Sequence, residues 1–198
     1  MMQRTSAVLI VLCVLGSVAT LPRAAYAGRA WAWAEDAVIP TDSTNCTRSG
    51  LSQTTRAYSV VRCTTGAVGS KFLLKFQMPT QMPNNGPTAF VHFQTPTGVT
   101  GNCQYKIALV ALPPNAITSA SLDSALSFAT PAAVTVGTAD VRRVTVESAA
   151  IAIKNQTSGV TCTSTTCQGM DLVAVVVNTT VAGTGGNGCD FKMLELKF

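Results

Sequence analysis

The sequence predicts an all-β protein built as a two-sheet antiparallel sandwich with one short helix. Apolar and polar residues alternate with period two through most of the chain after residue 56, and Gly, Pro and Asn turns separate the alternating runs. A single stretch has helical spacing instead. Period-two alternation is typical of strands buried on one face, and about eight such runs with one helix favour a sandwich over an α/β fold.

Seven runs have the length and the β-branched and aromatic content of strands. In chain order they are AYSVVRC (57–63), KFLLKFQM (71–78), TAFVHFQT (88–95), CQYKIALVAL (103–112), VRRVTVESAAIAI (141–153), DLVAVVVNTTV (171–181) and CDFKMLELKF (189–198). AVTV (133–136) is predicted as a short extra strand.

The helical stretch is SLDSALSFATP (121–131). Leu122, Ala125 and Leu126 fall on one side of it, Ser121 is placed to cap its N-terminus, and Pro131 is placed to end it.

The last strand has a break in its alternation. Apolar side chains alternate on one face from Cys189 to Met193 and on the other face from Leu194 to Phe198. A β-bulge near Met193–Leu194 would place both sets on a single face.

The N-terminus has the anatomy of a secretory signal peptide. Arg4 precedes an uncharged run from Ser6 to Leu21, which is shorter than the roughly 20 residues that span a membrane. Small-x-small sites follow, and we predict cleavage after Ala27. Ala32 and Ala34 end competing sites, and an uncleaved anchor is the main alternative.

The predicted organisation is a signal peptide (1–27), an N-terminal strand or linker segment (28–55) and a β-sandwich domain (56–198). The mature protein is expected outside the cell or at its surface, with the periplasm as an alternative, and without a membrane contact after cleavage.

Six cysteines follow the predicted cleavage site, and an even number behind a signal peptide predicts three disulfides. The preferred pairs are Cys162–Cys167 within one loop, Cys46–Cys63 locally and Cys103–Cys189 between strands. Structural zinc needs four clustered ligands, so no metal site is predicted. The polar segment 154–169 around the first pair is the predicted recognition loop.

The chain offers little catalytic chemistry. GTGGNG (183–188) satisfies the dinucleotide-binding pattern, but a strand follows it where the mechanism requires a helix. His92 is the sole histidine, and neither a serine elbow nor a pair of carboxylates accompanies it. We therefore predict a protein that is not an enzyme and binds no cofactor.

The charges do not predict a nucleic-acid partner. The chain has 14 basic and 9 acidic residues, for a net charge of +5, and its basic residues are scattered, with Arg142 and Arg143 the adjacent pair. A nucleic-acid groove needs a concentrated basic stripe.

Trp31 and Trp33 alternate with alanine in RAWAWAED (29–36). In an extended strand both rings point to the same side. Such a strand is expected either to pair within its own sandwich and seal the core, or to add to the sheet edge of another subunit. The two tryptophans are therefore the candidate assembly residues.

The order of segments from about Gly86 onward resembles the jelly-roll sandwich module of tailed-bacteriophage head fibres, tail fibres and related virion appendages. The segments are YKIALVAL (105–112), SLDSALSFATPAAVTV (121–136), VTVESAAIAI (144–153), MDLVAVVVN (170–178) and LELKF (194–198). The resemblance implies a jelly-roll-like fold and a non-enzymatic, assembly-forming or surface-presented role. The signal peptide and cysteines, which such modules normally lack, indicate use outside a cell.

These inferences predict a secreted structural or interaction protein of an extracellular filament, appendage or surface layer. The expected partners are copies of the same chain, as a homo-oligomer or filament. The alternative is a carbohydrate- or cell-surface-binding module with a surface glycan as its partner. A free sheet edge or a swapped strand would favour a filament subunit, and exposed aromatic residues around a polar groove would favour the glycan-binding module. A concave pocket containing His92 and a carboxylate would favour an enzyme.

Overall fold

The computed structural model describes residues 28–41, 43, 45–51, 58–63, 70–83, 85–94, 101–114, 126, 128–130, 134–136, 143–163, 165–178, 181–182 and 189–198. The predicted signal peptide and the GTGGNG motif lie outside these residues. The strands are β1 (Arg29–Trp33), β2 (Cys46–Leu51), β3 (Tyr58–Cys63), β4 (Lys71–Gln77), β5 (Thr88–Gln94), β6 (Gly101–Cys103), β7 (Tyr105–Leu112), β8 (Val134–Val136), β9 (Arg143–Ala150), β10 (Ile153–Asn155), β11 (Asp171–Asn178), β12 (Val181–Ala182) and β13 (Asp190–Lys197).

Most of these strands form two sheets. Sheet A has the order β2-β3-β13-β5-β9, and β1 joins it by pairing with β13. Sheet B has the order β10-β7-β11-β4. A small third sheet, β12-β6-β8, prolongs sheet B, because β12 pairs with β6 in the same register as β11 pairs with β7.

The connections between sheets A and B are those of a jelly roll. From β3 to β7 the chain alternates between the two sheets. Ala129 then pairs with Ile107 at the edge of β7, and β9, β11 and β13 alternate between the sheets again. The predicted all-β sandwich is therefore confirmed. One departure from an antiparallel arrangement is β10, which pairs with β7 in parallel.

The core lies between the two sheets and is centred on aromatic rings from both. Phe72 of sheet B contacts Phe191 of sheet A at a centroid distance of 4.7 Å. Tyr105 of sheet B lies 5.6 Å from Phe93 and 5.8 Å from Phe191. Tilted and edge-on rings at such distances stabilise the contact beyond the area that they bury.

The outer face of sheet B is also apolar and buried. Leu73, Val110 and Val173 belong to a second cluster there, and Leu126 packs against it. This explains why β7 and β11 read as nearly continuous apolar runs, since strands covered on both faces need no polar side.

The segment predicted as a helix, residues 121–131, is not helical where it is described. Leu126 and residues 128–130 have no helical turn, and Ala129 exchanges two backbone hydrogen bonds of 2.9 Å with Ile107. The helix prediction is corrected at these positions, because pairing with β7 satisfies the backbone instead. The described helical element is a 3-10 turn at Ala34–Asp36.

The irregularity predicted for the last strand is present. The register of β13 against β5 shifts between Phe191 and Met193, close to the predicted position. Phe191, Leu194 and Leu196 consequently all face the core. One extra residue thus preserves a single apolar face across a strand whose sequence changes phase.

Two predicted disulfides are confirmed. Cys46–Cys63 joins directly opposed residues of β2 and β3, and Cys162–Cys167 closes a short loop between β10 and β11. Cys189 is also disulfide-bonded. Its predicted pairing with Cys103 stays a prediction, because the side chain of Cys103 lies outside what is described. Disulfides of this kind fit an oxidising compartment.

The N-terminal segment 28–41 contacts both sheets. β1 pairs with residues 193–197 of β13, directly after the short stretch of β13 that pairs with β3. Val38 then exchanges backbone hydrogen bonds with Leu73 of sheet B. Ala32, Ala34 and Ala37 enter the core between these two attachments. The segment therefore closes one side of the sandwich.

Candidate functional site

The outer face of sheet A carries two rows of side chains around the tryptophans. One row runs Trp33, Met193, His92 and Thr145 across β1, β13, β5 and β9, and the next runs Trp31, Glu195, Phe90 and Glu147 across the same strands. We call these eight residues the tryptophan face. Residues that alternate with them, such as Val91 and Leu194, point into the core.

The two indole rings stand in solvent. Trp31 is 59% exposed and Trp33 is 46% exposed, whereas Ala32 between them is buried. Two residues along a strand span about 6.6–6.8 Å, so the rings follow each other in line. The prediction that both rings share one side of a strand is confirmed.

β1 seals the core with its alanines, although large apolar residues such as its two tryptophans are the ones normally expected to be buried. The strand does pair within its own sandwich, but alanines enter the core and tryptophans face outward. β1 packs against β4 of the opposite sheet, and the side chains that β1 turns toward the core are those of alanines. Aromatic residues are enriched at interaction sites, so the exposed pair makes this face the candidate binding surface.

A chain of polar contacts crosses the tryptophan face. Arg29 Nη1 donates to Glu195 Oε1 at 2.8 Å, and Glu195 Oε2 lies 3.3 Å from His92 Nε2. His92 Nδ1 lies 2.9 Å from Thr145 Oγ1. With its proton on Nε2, the imidazole donates to Glu195 and accepts from Thr145. These contacts fix the orientation of side chains from four strands beside the indole rings.

Thr145, His92 and Glu195 have the contacts expected of a nucleophile, a base and an orienting carboxylate. Sequence reasoning assigned no partner to His92, because Thr145 and Glu195 lie 53 and 103 residues away in the chain. The approach of distant strands brings them together, and no local motif signals it.

The surroundings of these three residues do not supply the rest of an acyl-transfer site. An oxyanion needs preorganised donors that converge on it. Thr145 and His92 project from neighbouring strands, whose backbone N–H groups lie in the plane of the sheet and not above its face. The arrangement fits binding better than catalysis, and the absence of enzymatic activity stays a prediction.

An ion pair lies in the next row of sheet A. Arg62 of β3 donates to both carboxylate oxygens of Asp190, at 2.6 and 2.8 Å. The side-chain hydrogen bond to Asp190 raises the pKa of Arg62, against the opposing effect of burial.

Burial, followed by the charge of Asp190, raises the pKa of Tyr105 well above its ordinary value. Tyr105 donates to the Cys189 carbonyl at 3.0 Å. These groups stabilise the centre of the sandwich.

The predicted recognition loop lies at one end of the sandwich, away from the tryptophan face. Asn155 accepts backbone hydrogen bonds from Thr157 and Ser158, and Thr163 bonds with Thr166 beside the Cys162–Cys167 bridge. An open depression of about 290 Å³ adjoins this loop, lined by Met78, Pro79, Thr80, Gln168 and Gly169. Its lining has no charged side chain and is a weaker candidate than the tryptophan face.

Within the described part of the chain, no group of three or more His, Cys, Asp or Glu residues is placed to hold a metal ion. The described residues also include no helix long and apolar enough to cross a membrane.

Comparison with known proteins found no protein-family model and no curated protein that match this chain. The resemblance to phage fibre modules therefore stays a prediction.

Proposed function

We propose that this protein is a secreted, non-enzymatic interaction protein whose binding surface is the tryptophan face. The observation that carries the proposal is the exposure of Trp31 and Trp33, at 59% and 46%. Each large aromatic ring left in water forgoes the stabilisation that burial would give, so two adjacent rings on one face are best explained by a partner that covers them.

Secretion is supported by the disulfides and by the predicted signal peptide. The protein has the disulfides Cys46–Cys63 and Cys162–Cys167. Disulfides persist in oxidising compartments and are rare where glutathione keeps thiols reduced. The protein accordingly acts outside the cell or at its surface.

Two kinds of partner follow from the sequence and the fold. One is a further copy of the chain, which would make the protein a subunit of an extracellular assembly. The second candidate is a surface glycan, and one observation favours it: the exposed indole rings share a sheet face with the exposed Arg29 beside Trp31 and the exposed Glu147 farther along the row, which offer hydrogen bonds near an apolar patch.

The proposal is tested with the purified secreted protein and two readouts. Light scattering over a concentration series measures self-association, and co-sedimentation with the envelope fraction of the producing cells measures surface binding. The double variant W31A/W33A should lose whichever interaction the wild type shows. F128A, which removes another exposed aromatic ring (39% exposed), is the matched control and should behave as the wild type.

Unchanged melting temperatures would show that both variants are folded. The proposal is overturned if the wild type shows neither interaction, or if W31A/W33A retains the interaction in full.

A further inference from the structure

We propose that the tryptophan face binds the flat side of a neutral polysaccharide with equatorially linked pyranose rings, with Trp31 and Trp33 each stacked on a sugar ring. This inference rests on the proposed function and names the ligand class for the same surface. Four properties of the face support it: size, geometry, charge and rigidity.

The exposed apolar area is too small for a second copy of the chain. A buried aromatic side chain covers roughly 150–250 Å². With 59% and 46% of the residues exposed, the two tryptophans together offer roughly 160–260 Å². A standard protein–protein interface buries about 800 Å² from each partner, of which roughly 450 Å² is apolar. Phe90 is half-buried and Glu195 is largely buried, so they enlarge the patch little. The area suits a ligand the size of a few sugar rings.

The geometry suits a flat, extended chain. Both rings stand on one strand and on the outer face of a sheet, two residues apart, which is a backbone advance of about 6.6–6.8 Å. A pyranose ring with equatorial substituents presents C–H groups on its two faces and hydroxyls around its rim. Its face can therefore stack on an indole ring while its hydroxyls reach the polar side chains alongside.

Those polar side chains lie at one end of the line of rings and along the row that crosses the sheet from Trp31. Arg29 precedes Trp31 on β1, its side chain is more than half exposed, and its guanidinium is bonded to Glu195. Glu147 is exposed two strands beyond Glu195 in the same row. Hydroxyl groups both donate and accept, so they match a border that mixes cationic donors and carboxylate acceptors.

The charge of the face disfavours anionic polymers. Arg29 is neutralised by Glu195, and Glu147 adds a further carboxylate close to Phe90. Single-stranded nucleic acid also stacks on aromatic side chains, but it needs a positively charged groove along its backbone. Sulfated or phosphorylated glycans have the same requirement. A neutral glycan does not.

The face is also preorganised. Tryptophan has two side-chain torsions, so ordering it on binding costs little entropy. The contacts from Arg29 through Glu195 and His92 to Thr145 already hold the neighbouring polar groups in place. A rigid surface loses less on binding than a flexible one does.

The test is a binding panel with the purified secreted protein. Neutral probes are β-1,4-linked hexasaccharides of glucose, N-acetylglucosamine, xylose and mannose, titrated while tryptophan fluorescence is recorded, together with the matching insoluble polysaccharides in pull-down assays. Anionic probes are heparin and oligo-dT. We expect at least one neutral probe to bind and to change the fluorescence, and both anionic probes to fail at physiological salt.

Variants locate the site. W31A and W33A should each weaken glycan binding roughly two- to tenfold, the effect of one lost aromatic contact, and the double variant should lose detectable binding. W31F keeps a stacking ring and should recover part of the loss. F128A is the control on another exposed ring and should bind as the wild type does.

The inference is overturned if no neutral glycan binds, if W31A/W33A binds as well as the wild type, or if an anionic probe binds in preference. A failed panel does not by itself overturn the proposed function. If W31A/W33A also loses self-association or envelope binding that the wild type shows, the tryptophan face is an interaction surface for another partner, and only the glycan assignment falls.

Discussion

Replacing Arg62 should destabilise the fold more than replacing Asp190, although the two residues form one ion pair. The reason is their unequal burial: the side chain of Asp190 is 1% exposed and that of Arg62 is 24% exposed. Each substitution leaves the other member behind, and the cost depends on whether the remaining charge can reach water.

The magnitudes follow from that difference. Arg62→Met leaves a fully buried carboxylate without its two guanidinium hydrogen bonds, and breaking a buried pair in this way costs about 3–5 kcal/mol. Asp190→Asn leaves a guanidinium that can turn its exposed part to solvent, so the cost is nearer the about 1.5–3 kcal/mol of a hydrogen bond to a charged group. Either loss is large beside a total stability of about 5–15 kcal/mol.

Urea unfolding of R62M, D190N and the double variant at pH 7 measures both costs and the coupling between the two residues. K75M breaks the Lys75–Asp171 pair, in which both side chains reach water (51% and 20% exposed), and is the control with an expected cost below about 1 kcal/mol. The reasoning is refuted if D190N costs more than R62M, or if the coupling energy falls below about 0.5 kcal/mol.

Three further comparisons test other parts of the fold. Gly86→Ala should cost about 2–4 kcal/mol in chemical denaturation, because Gly86 has a φ of +78° and a Cβ there would lie 1.9 Å from a backbone carbonyl oxygen. Gly159→Ala, at a φ of +70° with open space around it, should cost only about 1–2 kcal/mol, and equal costs would contradict the steric argument. Tyr105 has a raised pKa, so its contribution to stability is complete below about pH 10 and declines as the pH rises above that value. Tyr105→Phe should therefore lose about 1 kcal/mol at pH 7 and show a shallower alkaline loss, and an unchanged alkaline profile would count against this role. Removing the Cys46–Cys63 bridge should lower the melting temperature more than removing Cys162–Cys167, because their sequence separations of 17 and 5 imply a difference of about 1 kcal/mol in loop entropy. The reverse order of melting temperatures would show that native-state contacts outweigh loop closure.

The positions of the strands were predictable because alternation is a local property. In a run such as KFLLKFQM (71–78), the sequence itself shows how long the strand is and which residues share a face. The structure has β4 at Lys71–Gln77. The two confirmed disulfides join cysteines close in sequence, where few partners compete. The bulge near Met193 was predictable for the same reason, since the change of phase is visible within one strand.

Other elements depended on partners that the local pattern does not identify. β2, CTRSGL (46–51), has weak alternation and becomes a strand by pairing with β3. The run 141–153 was predicted as one strand, but it divides after Ala150, and Ile153–Asn155 moves to sheet B beside β7. Pairing energy from neighbouring strands decides such cases, and the neighbours are distant in sequence.

The candidate site shows the same division. The sequence by itself determined that Trp31 and Trp33 share one side of a strand and that Ala32 faces the other. The tertiary structure decided which side meets water: β1 pairs with β13 and packs against β4 with its alanines toward the core and its two indole rings outward. A period of two fixes two faces, but only the neighbours that cover one of them determine which face is left to bind.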